Sequence, residues 1–216
     1  MKYDINYFNS KNVFGNELKV NGTTEELLFL SKQNFIQGNI LEFGVHKGKT
    51  INKIKKYFPK FKIFGFDSFQ GLPEDWSLNN KQTIGKGHFS LTNVPVIEGV
   101  FIYPGWFEET IDLYLEKYKN DSISFLHVDC DLYSSTKTIL TKLNDNIKPG
   151  TIIRFDEFTD WASIDNKKYT NKKVKNYLNW QEGEWKAFNE WVQEFDREVI
   201  SISRNLLYSA SIKVIK

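Results

Sequence analysis

Phe125-Leu-His-Val-Asp129-Cys-Asp131-Leu-Tyr133 and Ile152-Ile-Arg-Phe-Asp156-Glu157-Phe158 decide the fold, because each is a short apolar run that stops abruptly in carboxylates. Between them the residues keep a helical period, with Ile139, Leu140, Leu143 and Ile147 on one face. Ser134 and Ser135 are the cap candidates that would open this helix, and Pro149-Gly150 closes it. A strand, a crossover helix and a second strand make the two strands parallel neighbours. Both acidic tips then lie at one carboxyl edge of the sheet, where open α/β folds hold their ligands. Four carboxylates gathered there repel one another and resist ionising unless a cation is present. The sequence therefore points to a divalent metal. Hard oxygen ligands, with no cysteine or histidine cluster nearby, favour Mg²⁺ over zinc.

Upstream, Thr23-Thr-Glu-Glu26 is a capping-box candidate for a helix running to Phe35, with Gly38 able to end it. Asn39 to Phe43 reads as a strand, followed by Gly44-Val-His-Lys-Gly48 and a helix with Ile51, Ile54 and Phe58 on one side. Lys62 to Phe66 is a second strand ending in Asp67, and Val100 to Tyr103 a third, ending at Pro104-Gly105 before a helix carrying Phe107, Ile111, Leu115 and Tyr118. From Ser68 to Pro95 no period survives, and a loop of that length in a compact domain is usually functional. Downstream, residues 159–182 are polar and lysine-rich, Glu184 to Phe195 is an amphipathic helix, and Val199 to Ser203 with Leu206 to Ile215 read as a β pair on the sheet's edge. Alternating strands and helices with a final β pair imply a doubly wound α/β sandwich.

With 216 residues the chain is most simply one domain, and its 40% hydrophobic share is enough for a substantial core. A net charge of +2 gives no support to a nucleic-acid partner. One cysteine, Cys130, excludes an internal disulfide, fits a reducing compartment, and between two acids would be a poor thiolate. No apolar run approaches the roughly 20 residues that span a bilayer, and no signal-peptide core is present, so a soluble cytoplasmic protein without membrane insertion is expected.

The loop Glu42-Phe-Gly44-Val-His-Lys-Gly48-Lys-Thr50 follows a strand and opens a helix, the position of a nucleotide-binding turn. His46 occupies the place of the second glycine in a dinucleotide fingerprint, where its bulk hinders a pyrophosphate. A P-loop needs four residues before its Gly-Lys-Thr and this chain has three, which changes the ring of amides around a phosphate. The S-adenosylmethionine loop of class I methyltransferases is the remaining template. There Glu42 precedes the loop, amides near Gly48 meet the ligand's carboxylate, and Asp67 accepts the ribose hydroxyls.

Five runs in register carry a resemblance: Leu41 to Gly48, Gly65 to Trp76, Gly105 to Thr110, His127 to Thr136, and Phe155 to Phe158. Together, over about residues 39–196, they resemble the macrocin O-methyltransferase family of metal-dependent sugar O-methyltransferases. The resemblance implies a Rossmann-like class I methyltransferase sandwich, with a mostly parallel seven-stranded sheet and an antiparallel C-terminal strand. It implies one domain over 1–216, with 1–37 as a helical extension and 159–182 as an acceptor-side loop or lid. S-adenosyl-L-methionine would be the cofactor, with Mg²⁺ or another divalent cation, and a small sugar or glycoside the acceptor; a homo-oligomer is left open. Its expected cofactor contacts are Glu42, Phe43, Gly44, Val45, Gly48, Thr50, Asp67, Ser68, Gly105, Trp106 and Asp129. Asp129, Asp156 and Glu157 would ligate the metal, and Asp131 would be the general base. His127 reads as second to the metal or as a satisfied structural histidine. Arg154, two residues before Asp156, either pairs with an acidic ligand or points outward at the sheet's margin. Trp76, Trp161 and Trp180 either stack on a sugar or pack on their own segments. The rivals are a catechol or phenol O-methyltransferase, a P-loop-like NTPase, and an inactive binding member of the fold.

Overall fold

The structure, a computed structural model, describes residues 17–158, 177–205 and 209–216. In chain order its elements are β1 (Leu18–Val20), α1 (Thr23–Leu30), β2 (Asn39–Phe43), α2 (Lys49–Tyr57), β3 (Ile63–Asp67), β4 (Trp76–Asn79), β5 (Gln82–Ile84) and β6 (Phe101–Pro104). There follow α3 (Phe107–Tyr118), β7 (Ile123–Val128), α4 (Tyr133–Lys142), β8 (Ile152–Phe155), α5 (Glu184–Glu194), β9 (Val199–Asn205) and β10 (Ala210–Val214). Eight strands form one sheet in the order β1-β9-β10-β8-β7-β2-β3-β6, with β10 antiparallel to both neighbours and the other pairs parallel. The expected doubly wound, mostly parallel α/β sheet is present. It has one strand more than the seven expected, because β1 adds in parallel to β9 through Leu18↔Ser203. Three residues are too few to show a period in sequence. The terminal β pair consequently lies one strand in from the margin, capped there by β1.

Strand alternation sorts the core into two layers. Leu41, Leu126, Ile153 and Ile212 stand in one row across the sheet, and they join Ile111 of α3, Ile139 of α4 and Phe188 of α5 in one cluster. Ile40, Phe125 and Ile152 face the other way, against Leu27 and Leu30 of α1 and Ile51 and Ile54 of α2. On that second face the next row is polar. Glu42, His127, Arg154, Ser211 and Ser203 are successive cross-strand neighbours, and all five are buried.

Local signals were mis-assigned at two helix starts. Thr23 does not cap α1; Gly22 does so without a side-chain bond, and Glu26 is sequestered under the helix instead of closing a capping box. The helix ends at Leu30 and not at Phe35, whose ring instead packs edge-on against Phe58 at 5.4 Å. Ser134 and Ser135 lie inside the first turn of α4, whose cap position is Leu132. The stretch Ser68 to Pro95, patternless in sequence, holds the small β4–β5 hairpin.

Candidate active site

The strand order reverses between β2 and β7, because the chain runs outward through β3 and β6 before returning to β7. This switch point is where a doubly wound sheet opens a crevice at its carboxyl ends. The tips there are stitched to one another: the Gly44 amide donates to Phe66, the Asp129 amide to Phe43 and the Asp156 amide to Val128, each at 2.9 Å. The sheet register thus fixes where each acid emerges. A cleft of about 690 Å³ opens above them.

Gly44, Asp67, Ser68, Trp106, Asp129, Asp131 and Glu157 all line this cleft. Asp67 is fixed by two backbone amides, from His46 to Oδ2 at 2.6 Å and from Phe69 to Oδ1 at 2.7 Å. A carboxylate has room for further donors after accepting two. His46, at φ 45°, also faces the cleft, with its ring against Phe89. Trp106 lies at the cap of α3 and faces the cleft, while Trp76 lines it and meets Tyr177 edge-on at 5.2 Å. Trp180 is buried against Trp185, and Trp161 lies outside the described residues.

Other expected cofactor contacts do not line the cleft. Phe43 is buried, stacked on Phe66 at 4.4 Å, and Val45 belongs to the core beneath α2. Gly48 caps α2 in the left-handed region and packs on Ile97, Thr50 lies within α2, and Gly105 is pressed against Thr110. Glu42 is fully buried: His127 Nδ1 meets its Oε1 at 2.9 Å, while its Oε2 has no partner. These residues shape the loop from behind. A side chain reading of the strand-loop-helix pattern cannot separate the wall from its support.

Asp129 and Glu157 have carboxyls pushed well above the ordinary range, by burial first and then by Asp156 and the other acids. Asp131, in the left-handed region at φ 65°, is raised to about 7 by burial and by Asp156. Glu184, from the first turn of α5, is raised to about 8, chiefly by burial. For Asp156 desolvation is the largest influence and raises its carboxyl, but Arg154 and His127 together outweigh it and hold the group low. Arg154 has thus taken the first of its two alternatives. Fully buried, it donates Nη1 to Asp156 Oδ1 at 2.7 Å and to His127 Nε2, Nε to Glu26 Oε2 at 2.9 Å, and Nη2 to Ser209 Oγ at 2.8 Å. A guanidinium can only donate, so His127 Nε2 accepts and its proton sits on Nδ1, facing Glu42.

Among the described residues, donor atoms of His127, Asp129 and Asp156 come within 4.8 Å of one another, the grouping suited to a cation. Both nitrogens of His127 are engaged, Nδ1 with Glu42 and Nε2 with the Arg154 guanidinium that also holds Asp156. Of the three acids expected to ligate a metal, Asp129 and Asp156 belong to this grouping, whereas Glu157 lines the cleft with Asp129 but does not join it. Glu26 and Glu184 were missed in sequence, since an acid in the first turn of a helix ordinarily reads as a partner of the helix dipole.

The family model of macrocin-O-methyltransferase (TylF) matches residues 24–180. The chain belongs to that family. It is an S-adenosylmethionine-dependent O-methyltransferase, which sets the P-loop alternative aside. No curated protein matches it. Among solved structures, the calicheamicin methyltransferase CalS11 is 22% identical with a TM-score of 0.59, covering 88% of this chain and 77% of that one. The O-methyltransferase NovP is 19% identical with a TM-score of 0.58, over 89% and 79%. MycE, from the mycinamycin biosynthetic pathway and solved with Mg and SAH, is 13% identical with a TM-score of 0.50, over 91% and 56%. At these identities the likeness is one of fold. No helix among the described residues of this macrocin-O-methyltransferase family member is long and apolar enough to cross a membrane.

Proposed function

We propose that this chain methylates a hydroxyl of a sugar or glycosylated metabolite, with a divalent cation held by Asp129, Asp156 and Glu157 and with Asp131 as the general base. One observation carries this reading: partly buried acids, Asp129 and Glu157, each raised by desolvation and by neighbouring acids, line the same cleft as Gly44 and Asp67. Repulsion of that kind is relieved by a cation, and the donors are hard oxygens, so the residues fit Mg²⁺. The magnesium in MycE agrees with this. A bound cation would neutralise the acids and lower the pKa of a chelated hydroxyl.

The methyl donor arrives activated, so the chain's own work is placement and exclusion of water. Asp67 and Ser68 would hold the ribose end of the cofactor, and Trp106 would flank the adenine. Gly44, lacking a Cβ, lets the tip that carries Asp129 close up against it on the cleft. Asp131 would take the acceptor's proton on its carboxylate as the oxygen–methyl bond forms. Trp76 and Tyr177 would offer ring surface to a sugar. The chain is read as one methyltransferase domain; the segment 159–182 expected on the acceptor side lies, up to residue 176, outside the described residues.

Incubation with methyl-labelled S-adenosylmethionine and matched panels of glycosides and catechols tests this. Transfer to a glycoside, abolished by EDTA and restored by Mg²⁺, is expected. Preference for a catechol, or transfer indifferent to EDTA, contradicts it.

A further inference from the structure

Glu184 lies beyond the family-matched segment, yet its carboxylate reaches both acidic strand tips. Its Oε1 accepts the Cys130 amide at 3.3 Å and its Oε2 accepts the Glu157 amide at 3.1 Å. Cys130 separates Asp129 from Asp131, so this one side chain spans the loop after β7 and the loop after β8. The side chain is fully buried and these two amides are its partners in the structure. The preceding residue adds a second constraint. A Cβ on Gly183 would lie 3.2 Å from the Asp131 carbonyl oxygen and 2.3 Å from Tyr177 Oη, so the start of α5 is pressed against the backbone of Asp131. That backbone is in the left-handed region at φ 65°, a conformation that needs support in a residue with a side chain.

We infer that Glu184 is a positioning residue, which clamps the two acid-bearing tips at a fixed separation and so sets the spacing of the donors and of Asp131. The proposal rests on the metal-and-base reading of the cleft. Asp156 and the acids around it disfavour one another's charged forms across the two tips, and two amide hydrogen bonds to one side chain tie those tips together. Outer partners of this kind typically change metal affinity by about 10- to 100-fold.

The experiment compares wild type, Glu184→Gln and Glu184→Ala, each saturated with S-adenosylhomocysteine. Amide exchange is read at Cys130 and Glu157, and Mn²⁺ binding by calorimetry. S-adenosylhomocysteine affinity is expected to hold within about threefold, reporting an intact cofactor half. Glu184→Ala frees both amides and weakens Mn²⁺ by about 10- to 100-fold. Glu184→Gln, with one acceptor oxygen left, falls between. Amides as protected in Glu184→Ala as in wild type overturn the clamp. So does Mn²⁺ affinity unchanged when the amides exchange freely, which would leave Glu184 purely structural. Wild-type protein that takes up no Mn²⁺ contradicts the metal reading instead, and with it the role of the clamp, whatever the amides do.

Discussion

At Gly44 the backbone of one strand tip passes so close to the next that a Cβ would lie 1.7 Å from the Asp129 carbonyl oxygen, and its φ is 93°. Gly44→Ala would have to displace the tip that carries Asp129 and also accept a left-handed residue. We expect a loss of about 3 kcal/mol or more in urea denaturation, together with weakened S-adenosylhomocysteine binding. Asp131 belongs to the same scale but to chemistry. Asp131→Asn should keep S-adenosylhomocysteine affinity and lose about 10²- to 10⁴-fold in turnover; wild-type turnover would remove it from the base role. The place of single residues was legible where an acid falls at or just beyond a strand tip, as for Asp67, Asp129, Asp131 and Glu157, all of which line the cleft. Glu42 looked like a cofactor residue by the same rule. It is buried because its register places it opposite His127, and register across strands is not written in any one stretch.

Among elements, the polar row through β2, β7, β8, β10 and β9 ties the acid-bearing edge to α1. Glu26 of α1 accepts from Arg154, and also from Ser203, Ser209 and Ser211. Removing the cation alone strands Glu26 in the interior. Arg154→Met should cost about 3–5 kcal/mol, and Glu26→Gln combined with Arg154→Met should recover a large part of it. Urea unfolding of the two single variants and the double checks this, and strictly additive losses would contradict it. Elements with a clear period, α2, α3, α4, α5 and the central strands, were readable. The capping box at Thr23 was not, because tertiary burial of Glu26 with Arg154 outcompeted a local bond. The hairpin β4–β5 was missed because its strands of four and three residues pair with each other and stand outside the main sheet.

For the molecule as a whole, the acid cluster should make stability depend on pH and, on the proposed reading, on a divalent cation. Asp131 at about 7 and Glu184 at about 8, with Asp129 and Glu157 also raised, hold protons more tightly folded than unfolded. Their contribution is fully present below the ordinary carboxylate range and is lost as pH rises through the folded values. Asp156, held low, acts oppositely but only below that range. The cation-free protein should therefore melt about 5 °C lower or more at pH 8 than at pH 5.5, with Mg²⁺ closing much of the gap. A melting temperature flat across that window, with and without EDTA, would contradict this. The central claim is that acids from two neighbouring strand tips hold a divalent cation beside the methyl donor. Calorimetric titration of Mn²⁺ into the S-adenosylhomocysteine complex tests it most directly, with Asp129→Asn alongside. The account predicts one saturable site in the wild type, abolished in Asp129→Asn while cofactor affinity persists; no saturable heat in the wild type, or binding unchanged in Asp129→Asn, would contradict it.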